Sequence, residues 1–168
     1  MKRKYPIKKG PSRRRVKTPF KGNKKVRNAQ KVEFNGIHFQ SHLELFFYKY
    51  SKECGYEFLY ESLKTILFEG LKLEGYLYQQ DKTKNIVLDT RKLLNITYSP
   101  DFYRIQKNSS GEDVLIVVET KGLKTDSYVL KKKMFLKLMN NKWEQRFYFF
   151  EPRNQLNCKQ TIEIIRNL

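Results

Sequence analysis

The sequence predicts one α/β domain, residues 32–168, carried behind a basic arm, residues 1–31. Three observations predict it. Short extended runs alternate with segments of helical periodicity, the pattern of a sheet covered by helices. The run Val114-Leu115-Ile116-Val117-Val118-Glu119 is apolar on both faces, as a central strand is. The cations are also segregated. Met1 to Val32 holds 14 Lys and Arg and no acid, whereas the remaining 136 residues carry 21 cations against 17 acids. At 168 residues the chain has room for one ordinary domain, not two.

The arm places Pro6, Pro11, Pro19, Gly10 and Gly22 among its cations. Such a segment buries too little apolar surface to offset its ordering entropy, so it is expected to be disordered when free. A net charge of +18 calls for a polyanionic partner. Counterion release on phosphates is the role expected of the arm, with Arg13, Arg14 and Arg15 assigned to nucleic-acid contact. A solvated tail and an organelle-targeting peptide are the alternatives. No stretch approaches the roughly 18 apolar residues of a membrane span, and no secretory signal opens the chain, so a cytoplasmic protein is expected. Cys54 and Cys158 read as reduced packing residues.

The body opens with Val32 to Phe39, two short extended pieces around Asn35-Gly36. Ser41 can cap a helix whose stripe is Leu43, Phe46, Phe47 and Tyr50, ending near Cys54 with Gly55 as its stop. From Tyr56 to Tyr98 the pattern is ragged. Phe58–Tyr60, Thr65–Phe68 and Ile86–Leu88 read as short strands. Asp101–Ile105 is a further strand, joined to the Val114–Glu119 strand by a polar turn. Thr125 or Asp126 can cap a helix to about Asn140, with Leu130, Met134, Phe135 and Leu138 as its inner stripe. Arg146–Phe150 is a strand stopped by Pro152, and Cys158–Asn167 a closing helix. Most of the 11 tyrosines and 12 phenylalanines fall at strand or helix spacing, so core packing is expected of them rather than base stacking. His38 and His42 read as surface residues rather than metal ligands.

The chemistry is concentrated at the end of the long hairpin. With Ser109-Ser110-Gly111 as its turn, residues whose numbers sum to 220 lie opposite each other. Asp101 then faces Glu119, with β-carbons about 4.5–5.5 Å apart, and Lys121 emerges on the same face as Glu119. Like charges in that relation repel unless a divalent cation lies between them. Mg²⁺ suits the pair, since it takes one or two protein carboxylates and keeps its other positions for water and phosphate oxygens. Phosphodiester hydrolysis needs such an ion to stabilise charge at phosphorus and to lower the pKa of an attacking water. Lys121 can orient or deprotonate that water, or stabilise the pentavalent phosphorus; the sequence does not separate these roles. A carboxylate pair neutralised by Lys121 without function is the plain alternative.

Pro100-Asp101 followed by Glu119-Thr120-Lys121 at the end of an apolar strand resembles the signature of the PD-(D/E)XK nuclease superfamily. More specifically, the body resembles a phage-encoded endonuclease family similar to junction-resolving endonucleases. The shared blocks are Gly36-Ile37-His38-Phe39-Gln40-Ser41-His42-Leu43-Glu44, Tyr98-Ser99-Pro100-Asp101-Phe102, and Lys131-Lys132-Lys133-Met134-Phe135. The resemblance covers about Val32 to Asn140 and not the arm; Glu61 to Arg91 is longer and more irregular than the family pattern. It implies a restriction-endonuclease-like mixed sheet flanked by helices. It also implies Asp101 and Glu119 as metal ligands, Lys121 as catalytic lysine, and Glu44 as a helix-borne acid at the metal. Glu44 lies about 100° from the centre of the Leu43/Phe46/Phe47/Tyr50 stripe, at the margin of the core. Lys131 and Lys133 are assigned to phosphate contact, a solvated face being the alternative.

The expected activity is a Mg²⁺-dependent endodeoxyribonuclease, with Mn²⁺ as a substitute ion and branched DNA as the substrate the resemblance suggests. RNA is not excluded. Junction cutting takes two active sites and hence a homodimer. If the chain is phage-encoded, the host-cell cytoplasm is its expected place, or the virion. The competing function is a nucleic-acid-binding structural or packaged protein that keeps a nuclease fold within a larger assembly joined through the arm. A ribosome-type RNA binder accounts for the arm but not for the carboxylates.

Overall fold

The computed structural model describes residues 30–142 and 146–168. They form a mixed α/β fold with several small sheets and three helices. Val32–Phe34 (β1) and Ile37–Phe39 (β2) make an antiparallel hairpin. Its two turn residues have positive φ, Asn35 at 51° and Gly36 at 75°, as the expected Asn-Gly turn requires. The first helix, α1, runs His42–Glu53. The Ser41 side chain accepts from the Glu44 N–H, and Gly55, at φ 81°, follows the helix end.

The central sheet has the order β10-β9-β8-β3, formed by Phe147–Phe150, Asp113–Val118, Phe102–Lys107 and Leu59–Tyr60. β9 pairs parallel with β10 and antiparallel with β8, so the sheet is mixed. The β8–β9 register runs from Phe102↔Val118 to Lys107↔Asp113, the one expected from the turn. Val114 to Val118 are all buried, which is why this strand shows no alternation. Val114, Ile116 and Val118 pack with Phe47 of α1 and with Cys158, Ile162 and Ile165 of the last helix, α3, Gln155–Arg166. Leu115 and Val117 face the other way, toward Tyr128, Phe135 and Met139 of α2, Asp126–Lys142. One helix thus covers one face and two cover the other.

Several local expectations are corrected. The inner stripe of α2 is Tyr128, Phe135 and Met139, while Leu130 is 60% exposed. Lys132 sits in that stripe with its charge paired to Glu151, and a lysine there hides the apolar period. α3 begins at Gln155, a turn before Cys158, because Asn154 caps it by accepting from the Asn157 N–H. Two strands were not expected: β5, Leu77–Gln80, pairs with β6, Ile86–Asp89, and β7, Ile96–Tyr98, pairs with β4, Thr65–Phe68. Cys54 and Cys158 are free thiols. Among the described residues no helix is long and apolar enough to cross a membrane.

Candidate active site

Asp101 lies immediately before β8 and Glu119 immediately after β9, the next rung of the register that the strands define. Backbone bonds pin this rung from both sides. The Glu61 N–H donates to the Asp101 carbonyl (2.8 Å), extending the β3 edge. The Glu119 N–H donates to the Phe150 carbonyl (2.9 Å) and the Lys121 N–H to that of Pro152 (3.0 Å), extending the pairing with β10. The side chains that follow are therefore held by a rigid sheet end rather than by a loop.

The Asp101 N–H donates to Glu119 Oε2 (3.3 Å), which also accepts from the Tyr98 hydroxyl (3.0 Å). The other oxygen, Glu119 Oε1, pairs with Lys121 Nζ at 3.0 Å. Asp101 Oδ2 accepts from both the N–H (2.7 Å) and the hydroxyl (2.8 Å) of Thr120. Glu119 is 3% exposed, so this is a buried polar cluster. Burial and the neighbouring charges of Glu119 and Glu44 raise the pKa of Asp101, against the Thr120 hydrogen bonds. Burial pulls the Lys121 ammonium down, but the carboxylates of Glu119, Asp101 and Glu44 outweigh it and raise its pKa. The lysine stays charged. Its Nζ lies 4.7 Å from the centre of the Tyr128 ring, a cation–π platform supplied by α2.

Glu44 is part of the buried stripe of α1 rather than at its margin. That stripe is Glu44, Phe47, Tyr48 and Ser51, a second set at the spacing i, i+3, i+4, i+7. The Glu44 carboxylate accepts from the Gln40 N–H (2.7 Å), the Ser41 hydroxyl (2.8 Å) and the Tyr60 hydroxyl (2.6 Å). Its charge reaches Asp101 and Lys121. Among the described residues, however, no group of three or more His, Cys, Asp or Glu is close enough to hold an ion by itself. Asp101, Glu119 and Lys121 are brought together, and Glu44 approaches them from the α1 side.

The raised pKa of Asp101 marks mutual repulsion among the carboxyl groups, which one ammonium does not offset and a divalent cation would relieve. Hard carboxylate oxygens in that arrangement fit Mg²⁺, which needs only one or two of them.

The other assigned residues are dispersed. Two residues apart on a helix is about 200° of rotation, so α2 does not present Lys131 and Lys133 as a pair; Lys131 is half-buried and Lys133 exposed. Arg13, Arg14 and Arg15 lie outside the described residues. His38 is exposed, 3.7 Å from Glu33. Sequence reasoning gave no role to Tyr98, Thr120, Tyr60 and Tyr128, although Tyr98 and Thr120 sit beside the acids in the sequence. Comparison with family models, curated proteins and solved structures found no match for this chain.

Proposed function

We propose that this chain is a divalent-metal-dependent endonuclease that hydrolyses phosphodiester bonds in DNA, branched DNA being the form its sequence resemblance suggests. The proposal includes a restriction-endonuclease-like reading of the central sheet and its helices, and a nucleic-acid role for the basic arm. The observation that carries it is the convergence of Asp101, Glu119 and Lys121 on one buried sheet end.

In this reading Asp101 and Glu119 hold the ion, Mg²⁺ or in its place Mn²⁺. The ion supplies charge stabilisation at phosphorus and acidifies an attacking water. Thr120 fixes the Asp101 carboxylate through Oδ2, and Tyr98 fixes that of Glu119 through Oε2. Each ligand is thus oriented before substrate arrives. Lys121 remains protonated beside Glu119, which suits it to stabilising negative charge on a phosphoryl oxygen or orienting water more than to abstracting a proton. Glu44, held by three donors, faces the same place from α1. Cutting both strands of a junction takes two such centres and hence two copies of the chain.

The test uses purified protein with Mg²⁺ or Mn²⁺ on linear duplex, four-way junction, single-stranded DNA and RNA. Asp101→Asn and Glu119→Gln are each expected to lower cleavage by at least 100-fold, about 3 kcal/mol of transition-state stabilisation, while metal-free DNA binding persists. Wild-type rates in both variants would remove the nuclease reading and leave a nucleic-acid-binding protein of an assembly.

A further inference from the structure

An open cleft of about 510 Å³ lies beside the edge strand β3, lined by Tyr48, Lys52, Glu57, Phe58, Tyr60 and Arg104 among others. β3 pairs with Phe102 and Tyr103, so the cleft opens where that short strand stops and β8 continues with β9 on its other edge. Arg104 is the feature that sets it apart. Its guanidinium carbon lies 5.0 Å from the centre of the Tyr56 ring and 5.6 Å from that of Phe58. Nε and Nη1 are sealed from solvent and have no hydrogen-bond partner among the described residues. Buried donors of a charged group are rarely left in that state, because nothing replaces the water they have lost. Burial indeed disfavours the charged form of this side chain.

The cleft has an acid of its own in Glu57, but Glu57 does not form an ion pair with Arg104 among the described residues, and Lys52 stands beside it. The two cations outnumber the one acid. The guanidinium lies near aromatic rings with Nε and Nη1 enclosed, so Nη2 is the nitrogen left to meet a phosphate oxygen in a charge-assisted hydrogen bond. Tyr48, Phe58 and Tyr60 add faces on which a base can stack.

Position ties the cleft to the candidate active site. Tyr60 is a wall of the cleft, and its hydroxyl donates to Glu44. Arg104 follows Asp101 by three residues and so emerges on the α1 side of the sheet, the side from which Glu44 comes, rather than on the α2 side with Glu119.

We propose that the Arg104 cleft is a second nucleic-acid contact, holding one backbone phosphate on the Glu44 side of the sheet end. The proposal rests on reading the sheet end as a nucleic-acid-cutting site, and its test is arranged to separate the two. Full-length protein is titrated in EDTA, where no cleavage occurs, with fluorescently labelled duplex and single-stranded DNA across a range of salt. Arg104→Gln is expected to weaken binding several-fold at moderate salt. It should also flatten the slope of log affinity against log salt by about 0.9 on duplex and about 0.7 on single strands, the signature of one lost phosphate. Arg104→Lys should restore most of the slope. If Arg104→Gln fails to fold, Lys52→Gln, the cleft's other cation, reads the same loss. Unchanged affinity and slope in the folded variant overturn the cleft. Wild-type protein that cuts DNA but binds it independently of Arg104 removes this contact alone. Protein that binds through Arg104 yet never cuts keeps the contact and removes the nuclease reading; protein that binds no nucleic acid removes both.

Discussion

Glu151, one residue past β10, supports Lys121 through Tyr128. It accepts from the Tyr128 hydroxyl (2.9 Å), pairs with Lys132 at 2.6 Å and also pairs with Lys124. Tyr128 in turn carries Lys121 on its ring. Burial works to raise the Glu151 pKa, yet its three donors outweigh it and hold the carboxyl down to about 2. An unfolded glutamate titrates near 4.3, so the folded state gains from this group above that pH and loses the gain as pH falls toward 2. Glu151→Gln should therefore cost about 1–2 kcal/mol near neutral pH, a figure reduced by the solvent exposure of the lysines. The gap in melting temperature between the two proteins should close below about pH 4. A gap that stays constant down to pH 2–3 would mean that packing, not charge, explains the loss. This arrangement was not legible in the sequence. Lys131, Lys132 and Lys133 look alike as a run, and only Glu151, 19 residues further on, shows that the middle one turns inward.

The β8–β9 hairpin and α1 were legible because local chemistry sets their boundaries: a turn with Gly111 at φ 81° in the first case, Ser41 and Gly55 in the second. β5 and β7 were not. β5 reads Leu-Tyr-Gln-Gln and β7 Ile-Thr-Tyr. Neither has a run of buried side chains, so partner strands rather than an apolar face define them. The same holds for the loops that frame them. Gly70 donates to the Asn95 side chain at 2.7 Å, and the Leu93 N–H donates to the Leu71 carbonyl at 2.9 Å. A β-carbon at position 70 would fall inside contact of the Leu93 carbonyl and 2.8 Å from the Leu94 carbonyl carbon. Backbone cannot swing aside as a side chain can. Gly70→Ala should therefore cost about 1–3 kcal/mol, expressed locally. Amide exchange should quicken at residues 65–71 and 93–98 and stay unchanged in β9. Uniform quickening would show instead that this connection is part of the global unfolding unit.

On the scale of the whole molecule, burial and charge are separated along the chain. No residue from Leu59 to Thr97 is buried, and exposed apolar side chains such as Tyr76, Tyr78, Ile86 and Leu94 gather there. That segment carries six cations and five acids, whereas residues 1–29 hold 13 cations and no acid. A partner that reads charge will meet the two segments differently. None of Glu44, Asp101, Glu119 or Lys121 precedes residue 30, so affinity and chemistry are expected to be separable. Each phosphate neutralised contributes about −0.9 to the slope of log affinity against log salt on duplex DNA. Deleting residues 1–28 should flatten that slope by several units and weaken binding at moderate salt. Single-turnover cleavage at saturating, low-salt DNA should persist near the full-length rate. The full-length and shortened proteins are titrated across salt and then compared for cleavage under those conditions. An unchanged slope would assign the arm to something other than DNA, and a protein surface would be the next partner to test. A lost single-turnover rate would place the arm within the active site itself, because a sheet end held by β3 and β10 should not need distant cations to keep its geometry.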